Sequence, residues 1–221
     1  MEELKFEQDL YQDNGELVYA HNGLGRNQLY KHYEYMQDFF TKTPCRTAVD
    51  IGCRFGEYTH YLLKHFDNVK CFEPRRHTLV GHFNKNIPKD RVQVWNCGIG
   101  EKQEFVNMNG GAVHKDNTVE IKPSKYRTDV PVYPLDSFAF DSVDFVKVDV
   151  EGYELKVLQG AVETINKHKP MVVIEQNGGD IKYGWATEEN QAGRFLEALG
   201  YINTGVWKND FVFQHKDKRY E

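Results

Sequence analysis

The sequence predicts a doubly wound α/β fold: a mostly parallel, seven-stranded, Rossmann-like sheet that ends in a C-terminal antiparallel hairpin. Three observations predict it. Short apolar runs of strand length alternate with segments of helical periodicity, the order that builds parallel β-α units. The first run, Thr47–Ile51, leads into Gly52-Cys53-Arg54-Phe55-Gly56, and a helical pattern follows at once. Such a strand-turn-helix junction frames the ligand crevice of an open sheet. The last two runs, Tyr201–Val206 and Phe211–Gln214, flank a turn at Lys208-Asn209-Asp210 and read as a hairpin.

Each element follows from local pattern. Residues 1–26 carry the turn pairs Asn14-Gly15 and Asn22-Gly23 and read as an irregular arm. Leu29, Tyr33, Met36 and Phe40 share one helical face, and Thr43-Pro44 stops that helix. Residues 1–45 are thus read as an arm and helix packed on the core, and residues 46–221 as the ligand-binding domain. A helix is expected over Glu57–His65, a strand over Val69–Phe72 ending in Glu73-Pro74, and a short helix over His77–Asn84. Val92–Trp95 is a strand ending in Asn96-Cys97-Gly98, and Phe145–Val148 is one ending at Asp149. Leu155, Leu158, Val162 and Ile165 mark one long helix, with Glu151 and Glu154 at its start and Lys167-His168-Lys169 at its end. Those charges suit the helix dipole. Met171–Ile174 is a strand ending in Glu175, and a helix near Glu188–Leu199 stops at Gly200. The segment Asn107–Pro134 is polar, contains Asn109-Gly110-Gly111 and three prolines, and reads as a long loop that serves as a lid.

Composition narrows the function classes. At 221 residues, 40% of them hydrophobic, the chain can bury a sizeable core. No run approaches the roughly 18 apolar residues of a membrane span. Met1-Glu2-Glu3-Leu4-Lys5 lacks the apolar centre of a signal peptide. The expectation is a soluble, cytoplasmic protein with no membrane partner. The four cysteines form no CxxC pair and read as reduced. A net charge of -5 without a basic run argues against a nucleic-acid partner. Tyr30, Tyr33, Tyr35, Phe39 and Phe40 crowd the first helix, which reads as packing across the sheet or against a second copy in a homo-oligomer.

The strand ends carry the chemistry. Asp50, Glu73, Asn96-Cys97, Asp149 and Glu175 all fall at predicted C-terminal strand edges, which line one crevice in a doubly wound sheet. Acids gathered there repel one another unless a cation joins them. The first loop has an acid and only two glycines, Gly52 and Gly56, so it lacks the G-x-G-x-x-G that admits a pyrophosphate. A cationic ligand with a diol fits instead, and S-adenosylmethionine is the cofactor expected. Glu73 is assigned to its ribose diol, and Asn96 and Cys97 to the adenine. No metal is expected to be required, although Asp149, Glu151 and Glu175 could collect a divalent ion.

Several segments, in order, resemble the FkbM-type methyltransferases of the class I S-adenosylmethionine-dependent fold. They are Val49-Asp50-Ile51-Gly52 with Gly56-Glu57-Tyr58-Thr59, Phe72-Glu73-Pro74, Asn96-Cys97-Gly98-Ile99-Gly100 and Pro134-Leu135-Asp136-Ser137. Then come Asp144 to Glu154, which reads DFVKVDVEGYE, Val157-Leu158-Gln159-Gly160-Ala161 and Pro170–Glu175. The resemblance spans about residues 46–213. It implies methyl transfer to a hydroxyl of a sugar, glycan or small metabolite. It also implies a cofactor shell of Asp50, Gly52, Cys53, Arg54, Gly56, Thr59, Glu73, Pro74, Asn96, Cys97 and Asp149. Asp149 and Glu151 are expected at the methyl-transfer end, one as base and the other orienting a ligand amine or Lys147. His114, in the expected lid, is a second choice of base. The first loop departs from the family's usual Gly-Ala-Asn-x-Gly at Cys53-Arg54. Arg54 either pairs with the cofactor carboxylate or points outward. Two other readings stay open: a binding module that has lost catalysis, and a methyltransferase acting on RNA or protein.

Overall fold

The computed structural model describes residues 36–42, 45–81, 90–109, 112–113, 128–185 and 188–218. A helix, α1 (Gln37–Lys42), precedes β1 (Thr47–Ile51), α2 (Glu57–Leu62), β2 (Asn68–Phe72), α3 (Arg76–Gly81) and β3 (Val92–Trp95). Four short strands follow: β4 (Gly98–Ile99), β5 (Glu104–Asn109), β6 (Ala112–Val113) and β7 (Thr128–Tyr133). After a 3-10 turn at Leu135–Phe138 come β8 (Phe145–Val148), α4 (Glu154–Gln159), α5 (Val162–His168), β9 (Met171–Glu175), α6 (Gly179–Lys182), α7 (Gln191–Ala198), β10 (Tyr201–Trp207) and β11 (Asp210–His215).

The main sheet has seven strands in the order β10-β11-β9-β8-β1-β2-β3. β1, β2, β3, β8 and β9 are parallel, and β11 runs antiparallel between β9 and β10. The expected terminal hairpin is therefore present, with its second strand inserted beside β9 and its first at the edge. The chain winds outward in one direction from β1 to β3 and in the other from β8 to β9. The crevice between β1 and β8 is the switch point where such sheets bind ligands.

Side chains alternate across the strands and build two cores. Val49, Ile51, Phe72, Val146, Val148, Val172, Ile174 and Phe213 join one core with Leu155, Leu158 and Leu196 of α4 and α7. Ala48, Val69, Cys71, Phe145, Met171 and Val173 join the other with Phe39, Phe40, Tyr58, Tyr61, Leu62 and Leu79. Phe40 sets its ring edge-on to Phe66 and tilted against Phe145, with centroids 5.4 and 5.9 Å away. Residues 29–35 of the expected first helix lie outside the described residues, as does the arm before them.

Two expectations are corrected. The long helix is two helices, and at the junction Gly160 lies against the carbonyl of Gly100, where a Cβ would stand 1.9 Å from that oxygen. Asp136 then caps α5 from outside, accepting the N–H groups of Glu163 and Thr164 at 3.0 and 2.8 Å. The segment read as a lid loop instead carries strands. β4, β7, β5 and β6 form a second, four-stranded sheet in that order, with β5 antiparallel to both β7 and β6. Its Val106, Met108, Val113, Val130 and Val132 turn inward onto the first core, while Phe105 is 76% exposed on the other side. His114 lies outside the described residues.

Smaller differences concern ends. The helix expected to His65 closes at Leu62 and runs on as tight turns, with Lys64 N–H donating to the Tyr61 carbonyl. The last helix begins at Gln191. No helix among the described residues is long and apolar enough to cross a membrane. All four cysteines are free, three of them buried.

Candidate active site

A cleft enclosing about 520 Å3 of space open to solvent lies at the C-terminal ends of β1, β2 and β8. Gly52, Glu73, Pro74 and Arg75 line one part, and Asp149, Val150, Glu151 and Tyr153 line another. The second sheet supplies an apolar wall of Ile99, Val106, Met108, Val113, Val130 and Val132.

The β1 turn is shaped by contact with β8. Gly52 adopts φ +84, and a Cβ there would stand 1.8 Å from the Asp149 carbonyl oxygen. Only glycine allows both the left-handed backbone and that approach. Its N–H donates to the Phe72 carbonyl at 2.9 Å, which ties the turn to the end of β2. Gly56, at φ 83, opens α2.

Glu73 is buried and heavily bonded. Its Oε1 accepts the Arg75 N–H at 2.8 Å and Arg75 Nε at 2.9 Å, and its Oε2 accepts the Arg54 N–H at 3.0 Å. Asn96 Nδ2 donates to the carbonyls of Glu73 and Pro74, both at 2.9 Å, and so locks this turn. Arg54 contributes its backbone here, while its guanidinium sits 4.8 Å above the Phe55 ring. The Cys53-Arg54 departure therefore leaves the cleft open.

The loop after β8 is held from below. Glu154 is buried, and its Oε1 accepts the N–H groups of Val150 and Gly152 at 3.2 and 3.0 Å. Between them Glu151 takes φ 55, and its side chain is exposed at the edge of the cleft. Burial pushes the Glu154 carboxyl up to about 7, against the pull of those two donors. Asn177, past the end of β9, donates to Glu151 Oε2 at 3.4 Å and to Glu175 Oε2 at 3.1 Å. Carboxylate oxygens of Asp149, Glu151 and Glu175 all lie within 4.8 Å of one another. Burial first, then the charge of Asp149, pushes the Glu175 carboxyl up to about 8.

Beneath the edge lies a row of buried charge. Lys147, 3% exposed, donates to Asp210 Oδ1 at 2.8 Å and stands 3.5 Å from Asp149 Oδ2, which is 39% exposed. Burial alone would lower its pKa, but the carboxylates of Asp149 and Asp210 outweigh it and raise it. Lys147 thus stays an ammonium and cannot accept a proton at neutral pH. It orients Asp149 and neutralises it.

The structure sorts the expected site residues. It brings Gly52, Glu73, Pro74, Asp149 and Glu151 to the cleft. Asp50 shares the strand face of Ala48, turned toward α2, and Thr59 Oγ1 donates to its Oδ2 at 2.5 Å. Burial pushes the Asp50 carboxyl up to about 7. Thr59 and Cys53 are buried on that same side, and burial raises the Cys53 thiol. Asn96 and Cys97 do not line the cleft; Gly98 and Ile99 take the expected place beside it. Burial pushes the Cys97 thiol up to about 12. The expectation missed Arg75, whose position two residues past Glu73 was the available signal.

The Methyltransferase FkbM domain model matches residues 50–203. None of the curated proteins matches the chain. Among solved structures, a methyltransferase FkbM from Methylobacillus flagellatus KT superposes with a TM-score of 0.52 at 22% identity, over 78% of this chain. This chain spans only 44% of that one. The N-methyltransferase NodS from Bradyrhizobium japonicum WM9 superposes with a TM-score of 0.50 at 11% identity, over 86% of this chain and 97% of its own. Both share the fold. With a family match that covers both walls of the cleft, the chain belongs to the FkbM methyltransferase domain family.

Proposed function

We propose that the protein binds S-adenosylmethionine in this cleft and transfers its methyl group to a hydroxyl of a sugar, glycan or small metabolite. One observation carries the reading. The glycine turn pressed onto the Asp149 carbonyl sets Glu73 and the Asp149–Glu151 pair around a single crevice at the sheet's switch point. When bound, the cofactor supplies an electrophilic methyl carbon on a sulfur that leaves as a neutral thioether. Everything else falls to the chain. Glu73 accepts from the ribose. Asp149, exposed to the cleft and steadied by Lys147, faces the ammonium or the acceptor hydroxyl. As the new O–C bond forms, the hydroxyl proton passes to a carboxylate within hydrogen-bond reach, Asp149 or Glu151. Holding the acceptor in line supplies much of the rate, because the leaving group is already good.

The acceptor is read as small or glycan-like and not as a nucleic acid, in keeping with a net charge of -5. The free cysteines fit a reducing, cytoplasmic setting. Calorimetry with S-adenosylhomocysteine tests the cofactor, with one-to-one binding expected. No binding to the folded protein would overturn the proposal. In a labelled-methyl assay, Asp149→Asn should lower turnover about 100-fold or more while leaving the melting temperature near wild type. Turnover near wild type would remove Asp149 from the chemistry.

A further inference from the structure

Glu73 meets the cleft with much of its hydrogen-bonding capacity already spent. A carboxylate offers about four acceptor positions, two on each oxygen. Oε1 takes two donors from Arg75, the backbone N–H at 2.8 Å and Nε at 2.9 Å. Oε2 takes the Arg54 N–H at 3.0 Å, and Arg75 Nη2 stands at the limit of bonding, 3.5 Å away. All four positions are thus approached, and the longest of the four bonds, Arg75 Nη2 to Oε2, is the one a ligand hydroxyl could displace. The clamp is built in. Asn96 ties down the carbonyls of Glu73 and Pro74, Glu73 N–H donates to the Trp95 carbonyl at 3.2 Å, and Arg75 lines the same cleft as Glu73. An unclamped carboxylate can take both hydroxyls of a vicinal diol, one on each oxygen. This one cannot do so while Arg75 holds Oε1.

We propose that Arg75 is a positioning and specificity-determining residue: it fills one oxygen of Glu73, so that the carboxylate reads a single ribose hydroxyl through the other. This rests on the cofactor reading above. Arg75 touches the carboxylate, and its fork of donors fixes which oxygen faces the ligand.

The test is calorimetry on the full chain with S-adenosylhomocysteine and its 2′-deoxy and 3′-deoxy analogues. With the wild-type protein, one analogue should bind about tenfold weaker or worse, the loss of one bond to a charged group. The other should stay within about threefold. In Arg75→Ala, a position on Oε1 reopens, so both analogues should lose comparable affinity against the parent ligand. Arg75→Lys keeps the charge without the fork and should show the same loss of asymmetry. It also serves as the readout should the alanine variant fail to fold. Equal losses or no losses in the wild type would overturn the proposal, as would an asymmetry that persists in both variants. A purely structural role for Arg75 would shift all three affinities together and leave their ratios alone. If the wild-type protein binds no S-adenosylhomocysteine, the cofactor reading falls and takes this inference with it. Binding with symmetric losses sinks only the role of Arg75.

Discussion

Replacing Gly52 with alanine should damage stability and ligand binding together, and the size of the effect can be worked from the β1–β8 contact. A non-glycine residue at φ +84 costs about 1–2 kcal/mol in backbone strain. The new Cβ would stand 1.8 Å from the Asp149 carbonyl oxygen and 2.8 Å from its carbon. Neither side can yield cheaply. Ile51 pairs with Val148, and Asp149 N–H donates to the Ile51 carbonyl at 2.9 Å. Separating them sacrifices that bond and repacks the turn, which adds about 1–3 kcal/mol. The sum is about 2–5 kcal/mol, a large share of the roughly 5–15 kcal/mol that holds a domain together. At this chain length it should lower the melting temperature by roughly 4–20 °C. Circular dichroism melts give that number, and calorimetry with S-adenosylhomocysteine gives the binding loss. A variant that melts within about 2 °C of wild type and binds the ligand equally well would refute the close approach.

Two further outcomes follow from the buried charges. Lys147→Met leaves Asp210 buried without its ammonium, which should cost about 3–5 kcal/mol by urea unfolding. The double variant with Asp210→Asn should recover most of that, and a single variant as stable as wild type would contradict the pairing. For pH, Asp50 is held at about 7 when folded against an ordinary value of 3.8, so the native state holds its proton more tightly between those limits. Its contribution to stability is greatest below about pH 4, falls as pH rises toward 7 and is flat above. The urea midpoints of wild type and Asp50→Asn should therefore diverge across that window. Glu154 and Glu175, raised to about 7 and about 8, give slopes of the same sign that the variant keeps. Parallel midpoint curves would mean that Asp50 is not the buried acid described.

The strands of the main sheet and their ends were legible because each is an apolar run closed by a polar residue, and doubly wound topology brings those ends together. What could not be read was the direction of each side chain once neighbouring elements are packed. Asp50 has the parity of Ala48, which places it against α2 and Thr59, away from the cleft. Lys147 has the parity of Phe145 and turns to the same side, where it meets Asp210 from the distant β11. The second sheet did carry a signal. Phe105, Val106, Asn107 and Met108 alternate outward and inward. Asn109-Gly110-Gly111 and the central Pro131 spoke more loudly for a loop. The packing at the Gly160 junction was hidden because its partner, the Gly100 carbonyl, lies sixty positions earlier in the chain. Arg75 reads in the sequence as surface charge, because only the fold closes its fork on Glu73.

Among the described residues the small sheet pairs only with itself, and this separates two kinds of evolutionary change. Residues 114–127 connect β6 to β7, so both of their attachment points belong to strands that, among the described residues, pair with no strand of the seven-stranded sheet. Lengthening or rewriting that stretch costs little in chain entropy. It leaves untouched the strands that fix Gly52, Glu73 and Asp149. Descendants of one ancestral chain could thus diverge in what they modify while inheriting the same donor seat, and a designer could graft alternative sequences between Val113 and Thr128 on the same terms.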